Sequence, residues 1–318
     1  MVRRCGLVSE DILNFLNERY PVVLQKIEAV SDGMYRCYGN QGIYYARIGQ
    51  YRTYEEQLEE VQWTNFLYEQ GVGVSPAVPS VNGHVVETIL PGDDLVVFYK
   101  AAPGSHLERT EWRASVLKSL GRQIGRMHRL TKEYEKSRPF KYIGDWHHQE
   151  EYQFDQYIPR EETTIRERAH AVISEIKALP IEEATYGMIH GDLWLENIVV
   201  GPGQSVTMID FQDCEKHYWV YDLAVPFYSA LHYTFAGQGN ISDYGKSIFA
   251  SLIDGYLMEH AISDKTLQQI PVFLKLKEIF EYSLMHMYWD QRKLSEEQVR
   301  IMNLYRIRIE QDHPVTGW

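Results

Sequence analysis

His190-Gly191-Asp192-Leu193-Trp194-Leu195-Glu196-Asn197, followed across a short turn by Met208-Ile209-Asp210-Phe211, is the stretch from which the fold and its chemistry can be read. Asp192 has Asn197 five positions after it, and Asp210 closes an apolar run. One carboxylate is thus available as a base, and a carboxamide and a second carboxylate as oxygen ligands for a hard cation such as magnesium. Ile198-Val199-Val200 and Val206-Thr207-Met208-Ile209 flank the turn sequence Gly201-Pro202-Gly203-Gln204, so a hairpin is expected that brings Asn197 and Asp210 side by side. Either fragment alone reads as an ordinary turn or a strand-end cap; the two at this separation point to a site.

These residue types suit phosphoryl transfer from ATP. The acceptor hydroxyl must be held in line with the terminal phosphoryl group, and the phosphate oxygens need positive charge on the way to the transition state. Asp192 is the natural partner of that hydroxyl. Asn197 and Asp210 suit a cation that keeps several waters and binds mainly through the nucleotide's phosphates.

The segment resembles the catalytic and metal-binding loops of the aminoglycoside phosphotransferase and choline kinase family, protein-kinase-like enzymes that act on small molecules. There, His-Gly-Asp-x-x-x-x-Asn replaces the His-Arg-Asp form of protein kinases, and Ile-Asp-Phe or Ile-Asp-Trp replaces Asp-Phe-Gly. Tyr221-Asp222-Leu223-Ala224 resembles the family's Tyr-Asp-Leu-Ala, and weaker similarity extends from about residue 25 to 290. The resemblance implies an α+β, bilobal, protein-kinase-like fold. Residues 1–100 would form a small antiparallel-sheet lobe with one main helix that binds the nucleotide, and 101–318 a larger, mainly helical lobe for catalysis and substrate.

It also implies roles. Asp192 would be the base, with His190 and Asp222 supporting the loops, and Asn197 and Asp210 would hold Mg2+. Ser31 and Gly33 would lie in the turn over the ATP phosphates. Arg47 stands where relatives carry a phosphate-touching lysine or arginine, and a planar guanidinium cannot be assumed to copy a lysine's geometry. Its partner would come from the helix over 54–70, where alignment points to Glu60 and leaves Glu56 and Glu59 open. Tyr99 and Ala101 fall at the linker, Lys100-Ala101-Ala102-Pro103-Gly104, whose backbone would read the adenine edge. The acceptor would be a hydroxyl of a small, cationic, amine-bearing metabolite or of an aminoglycoside-like compound.

Around this centre the first hundred residues alternate strand-like and helical patterns. Strands are expected over Met34–Tyr38, Ile43–Ile48, Val85–Leu90 and Leu95–Tyr99. Beyond residue 101 the pattern turns helical: Trp112, Val116, Leu120, Ile124 and Met127 recur at helical spacing over 111–130, with His128 read as a structural histidine. His147-His148 sit in an aromatic and acidic cluster without a third metal ligand at useful spacing, so a surface helix rimming the acceptor pocket is expected there. By the same resemblance that pocket would draw on C-terminal helices bearing Glu281, Tyr282, His286, Trp289 and Asp290, where carboxylates beside aromatic rings would suit an amine.

Composition narrows the class. The 318 residues are 44% hydrophobic and 24% charged, ordinary globular usage. A net charge of −12 argues against a nucleic-acid surface. Cys5, Cys37 and Cys214 are too few and scattered for a disulfide framework or zinc site, which fits a reducing cytoplasm. Met1–Gly6 lacks the apolar run of a signal peptide, and no segment reads as a bilayer span. A protein kinase is disfavoured, because Asp-Phe-Gly and Ala-Pro-Glu are absent and only eleven residues separate Asp210 from Asp222. A non-catalytic kinase-fold binding protein is the alternative. Relatives act on aminoglycosides, choline, ethanolamine, homoserine, methylthioribose, fructosamines and hydroxylated amino acids, and fold does not choose among them. His-Gly-Asp-Leu-Trp resembles the fructosamine kinase loop, but Leu195-Glu196 stands where those enzymes carry glycines.

Overall fold

The computed structural model describes residues 9–234 and 240–316. Cys5, the Met1–Gly6 segment and the side chain of Tyr233 lie outside the described residues. In chain order the strands are β1 (Leu24–Ser31), β2 (Met34–Gly39), β3 (Gly42–Gly49), β4 (Glu87–Ile89), β5 (Asp94–Lys100), β6 (Tyr186–Ile189), β7 (Ile198–Val200), β8 (Val206–Met208) and β9 (Glu215–Tyr218). The α-helices are α1 (Ser9–Arg19), α2 (Tyr54–Glu69), α3 (Ala114–Ser137), α4 (Phe154–Tyr157), α5 (Thr163–Lys177), α6 (Tyr221–Thr234), α7 (Ile241–Tyr256), α8 (Asp264–Leu267), α9 (Ile270–Tyr288) and α10 (Glu296–Glu310).

The chain divides into two compact units. One comprises the stretch up to His106, Glu133–Ile143 and Asn197–Asp213; the other comprises Leu107–Lys132, Gly144–Glu196 and the chain from Cys214 onward. The first is built on a five-stranded antiparallel sheet in the order β1-β2-β3-β5-β4. Successive side chains of a strand face opposite ways, and β3 and β5 use this fully. Tyr44, Ala46 and Ile48 with Val96 and Phe98 pack in one core with Ile12 and Leu16 of α1. Tyr45, Arg47 and Tyr99, of opposite parity, line a cavity instead.

α2 starts at a capping box in which Thr53 and Glu56 satisfy each other's backbone N–H. Trp63 of this helix meets Phe140 and Phe211 edge-on, which ties two distant stretches of sequence into the same unit. The hairpin of β7 and β8 pairs Ile198 with Met208 and Val200 with Val206. One residue further, the Ile209 N–H donates to the Asn197 carbonyl at 2.9 Å, so the strands' inner ends stay joined.

The second unit is mainly helical. Its short β6–β9 ladder pairs Tyr186 with Tyr218 and Ile189 with Glu215, and β6 delivers the chain into His190. α3 and α7 approach at backbone distance because glycines line the crossing. A Cβ on Gly121 would stand 1.9 Å from the Leu252 carbonyl oxygen, one on Gly125 2.5 Å from that of Tyr256, and one on Gly255 1.9 Å from that of Lys118. Gly255→Ala must push the helices apart and should cost about 1–3 kcal/mol. Gly49→Ala, where a Cβ meets nothing within 4 Å, should change stability by less than about 0.5 kcal/mol. Urea unfolding of the two variants against the parent measures both.

Candidate active site

The first unit carries a cavity of about 430 Å³ whose wall includes Ser31, Arg47, Glu60, Tyr99, Asn197 and Asp210. Strand alternation turns Arg47 into it from β3, and α2 supplies Glu60, whose side chain is 1% exposed. Arg47 Nη2 donates to both oxygens of Glu60 at 2.7 and 2.8 Å, while Nη1 stands 3.7 Å from Asp210 Oδ1. Gln57 Nε2 donates to Glu60 Oε2 at 2.7 Å, and the Arg47 guanidinium lies 5.5 Å from the centre of the Tyr99 ring. Burial works against the charged guanidinium, but Glu60, Tyr99 and Asp210 outweigh it and hold its pKa above the ordinary arginine value.

Three glutamates competed for this pairing, and long-range geometry separates them. Glu56 is consumed by the helix cap. Glu59 accepts the backbone N–H groups of Lys141, Tyr142 and Ile143 at 2.5, 2.9 and 2.9 Å, fixing the turn after α3. Glu60 alone of the three meets Arg47. Gly33 and Ala101 are not on the cavity wall. Gly33, at φ +74°, has its carbonyl bound by the Ile48 N–H at 2.7 Å, and a Cβ there would come 2.5 Å from the Ile48 carbonyl oxygen. The Ala101 N–H donates to the Ile43 carbonyl at 3.2 Å, while Lys100, Ala102 and Gly104 reach the wall.

In the second unit the loop after β6 is held by one carboxylate. Asp222, fully buried in the first turn of α6, accepts the His190 N–H at 2.8 Å and the Gly191 N–H at 3.0 Å, one on each oxygen. His128 Nε2 lies 3.1 Å from Asp222 Oδ2, and its Nδ1 lies 3.0 Å from the Tyr256 hydroxyl. The helix N-terminus also favours a negative charge at this position. His190, itself buried, accepts the Asp192 N–H on Nδ1 at 3.3 Å, and the Leu195 N–H donates to Ser229 Oγ at 3.1 Å. A chain of local bonds thereby sets the backbone of the Asp192 turn.

One residue was missed from the sequence. Lys277 of α9, 1% exposed, stands 3.0 Å from Asp192 Oδ1 and 2.8 Å from Glu281 Oε1. Its ammonium lies 5.2 Å from the Trp194 ring centre and 4.8 Å from that of Phe280. Burial opposes the charge, but Glu281, Asp192 and Tyr221 outweigh it and raise its pKa well above the usual lysine value. The available signal was a lysine four residues after Phe273 and three before Phe280, on the apolar side of the helix already noted for Glu281.

The donor set fits a hard cation carried by a nucleotide. Asn197 and Asp210, both with side-chain oxygens, line the cavity, and among the described residues no three His, Cys, Asp or Glu side chains gather into a metal cage. A cation there would draw its remaining ligands from phosphate and water.

The sequence pattern of the phosphotransferase enzyme family matches residues 24–243, more than half of the chain. The chain belongs to that family. This phosphotransferase is 26% identical to amicoumacin kinase of Bacillus subtilis (strain 168), over 98% of this chain and 94% of that one. Its fold superposes on the solved structure of amicoumacin kinase hAmiN in complex with AMP-PNP, Ca2+ and Ami with a TM-score of 0.91 at 26% identity, covering 98% of this chain and 96% of the other. A microcompartment-associated aminopropanol kinase shares the fold at a TM-score of 0.72 and 20% identity, with 94% of each chain covered. Spectinomycin phosphotransferase APH(9)-Ia, in complex with ADP and spectinomycin, does so at 0.60 and 13%, covering 96% of this chain and 99% of its own. The fold is therefore kinase-like, as the loops implied.

Asp222→Asn tests the loop anchor of this phosphotransferase. A carboxamide offers one acceptor oxygen where two amide donors need one each, and its own N–H groups would face a donor. The variant should lose about 3 kcal/mol of stability in urea unfolding.

Proposed function

We propose that the chain transfers the γ-phosphoryl group of ATP, with a divalent cation, to a hydroxyl of a small amine-bearing molecule of the amicoumacin type. The observation that carries this reading is the shared cavity wall of Arg47, Glu60, Asn197 and Asp210. A guanidinium locked by a carboxylate, beside two oxygen donors, is what a triphosphate and its cation require. Arg47 would bind phosphate oxygens, with Glu60 and Gln57 keeping its fork in place. Asn197 and Asp210 would hold magnesium, which when bound neutralises charge on the phosphate oxygens. Tyr99 and the backbone near Ala101 would bound the base of the nucleotide, and Ser31 the phosphate side.

Asp192 would orient the acceptor hydroxyl. In the reaction the acceptor oxygen forms a bond to the γ-phosphorus, the bond to the β–γ bridging oxygen breaks with its electron pair leaving on ADP, and the hydroxyl proton passes to Asp192. His190 and Asp222 act through the loop backbone. The amicoumacin-type acceptor is supported by full-length similarity to amicoumacin kinase in sequence and fold. An amine on it is carried over from the family resemblance of the loops; the Asp192 and Glu281 carboxylates are already met by the Lys277 ammonium.

Acceptor-dependent ADP release, measured with amicoumacin, 1-amino-2-propanol, choline and spectinomycin, tests the assignment. Amicoumacin should give a kcat/KM at least about tenfold above the others, a margin of about 1.4 kcal/mol in transition-state binding. Asp192→Asn should lower kcat by about 100-fold or more, while ATP with magnesium still raises the melting temperature. Full turnover by that variant, or an ATP-induced shift that is the same with and without magnesium, defeats the proposal.

A further inference from the structure

Lys277 has no part in the reaction as written, yet its burial needs a reason. An ammonium that is 1% exposed has lost its hydration, and a buried ion pair is seldom more stable than apolar side chains of the same volume. Helix stability does not supply the reason. Within α9 the pair runs Lys277 then Glu281, the less favourable order for an i,i+4 ion pair. What Lys277 reaches is the Asp192 loop, and it reaches it twice: the Asp192 carboxylate at 3.0 Å and the face of Trp194 at 5.2 Å. These two residues are already linked, since the Trp194 N–H donates to the Asp192 carbonyl at 2.9 Å.

We propose that Lys277 is the positioning residue for Asp192. Its ammonium holds the carboxylate by Oδ1 and the loop by the indole ring, and Glu281 holds the ammonium from the other side. Phosphoryl transfer passes through a loose transition state in which the acceptor's proton has moved little, so direction matters more than proton affinity. Lys277 supplies a fixed angle of attack, and Glu281 holds the ammonium in place from the other side.

This inference rests on Asp192 being the base, and the experiment separates the two. Steady-state kinetics with ATP and amicoumacin would compare the parent, Asp192→Asn, Lys277→Met, Lys277→Arg and the double variant Lys277→Met/Glu281→Met. The double variant removes both charges together, so it leaves neither Lys277 nor Glu281 charged and unpaired. Lys277→Met and the double variant should each lower kcat by about 10- to 100-fold, with KM for ATP within about twofold of the parent and the magnesium-ATP thermal shift retained. Lys277→Arg, which keeps a charge at the same place, should recover at least about a third of the parent kcat. A double variant with kcat within about threefold of the parent, or an arginine variant no faster than the methionine one, overturns the role of Lys277. If Asp192→Asn is nearly inactive in that same case, the base assignment stands and only the inference falls. If Asp192→Asn turns over normally, both fall.

Discussion

A charge taken out of water has to be met by an opposite charge or by several hydrogen bonds, and the functional part of each unit is organised around that constraint. In the first unit the demand is made by Arg47, answered by both oxygens of Glu60 and, further off, by Asp210. In the second it is made by Asp222, answered by two loop amides and His128, and by Lys277, answered by Asp192 and Glu281. None of these groups can turn freely, because each rotation would strand a partner. The side chains proposed to meet a substrate would thereby inherit fixed directions from groups that do not.

Much of this was legible wherever the information is local. Strand alternation places Arg47 opposite in facing to Ala46 and Ile48, and the Gly201–Gln204 turn dictates the β7–β8 hairpin. The sheet-plus-helix unit and the mainly helical remainder follow from the same periodicities. Where strand ends depend on partners the reading slipped: β4 is only Glu87–Ile89, and α3 begins at Ala114 and continues to Ser137. α1 was not read at all, since its two buried residues, Ile12 and Leu16, make a thin apolar stripe.

What stayed hidden depends on distant partners. Glu56, Glu59 and Glu60 are indistinguishable by type and share one helix; what separates them is a threonine three residues back, three amides beyond residue 140, and a guanidinium on β3. Lys277 looks like half of a local helix pair with Glu281, and its other partner lies 85 residues earlier. Gly33 and Ala101 are a different case. Both sit where the loops turn, and backbone hydrogen bonds to Ile48 and Ile43 use the Gly33 carbonyl and the Ala101 N–H.

The guanidinium at position 47 also bears on how such an enzyme is detected. Reactive nucleotide analogues that report kinases do so by acylating an amine in the triphosphate pocket. A guanidinium remains protonated at neutral pH and is a poor nucleophile toward such reagents. Arg47 would go unlabelled even with the analogue seated correctly, and the amine left on the wall among the described residues is Lys100. A proteomic survey that counts labelled lysines at the position Arg47 occupies on β3 would pass over this chain, whatever its abundance.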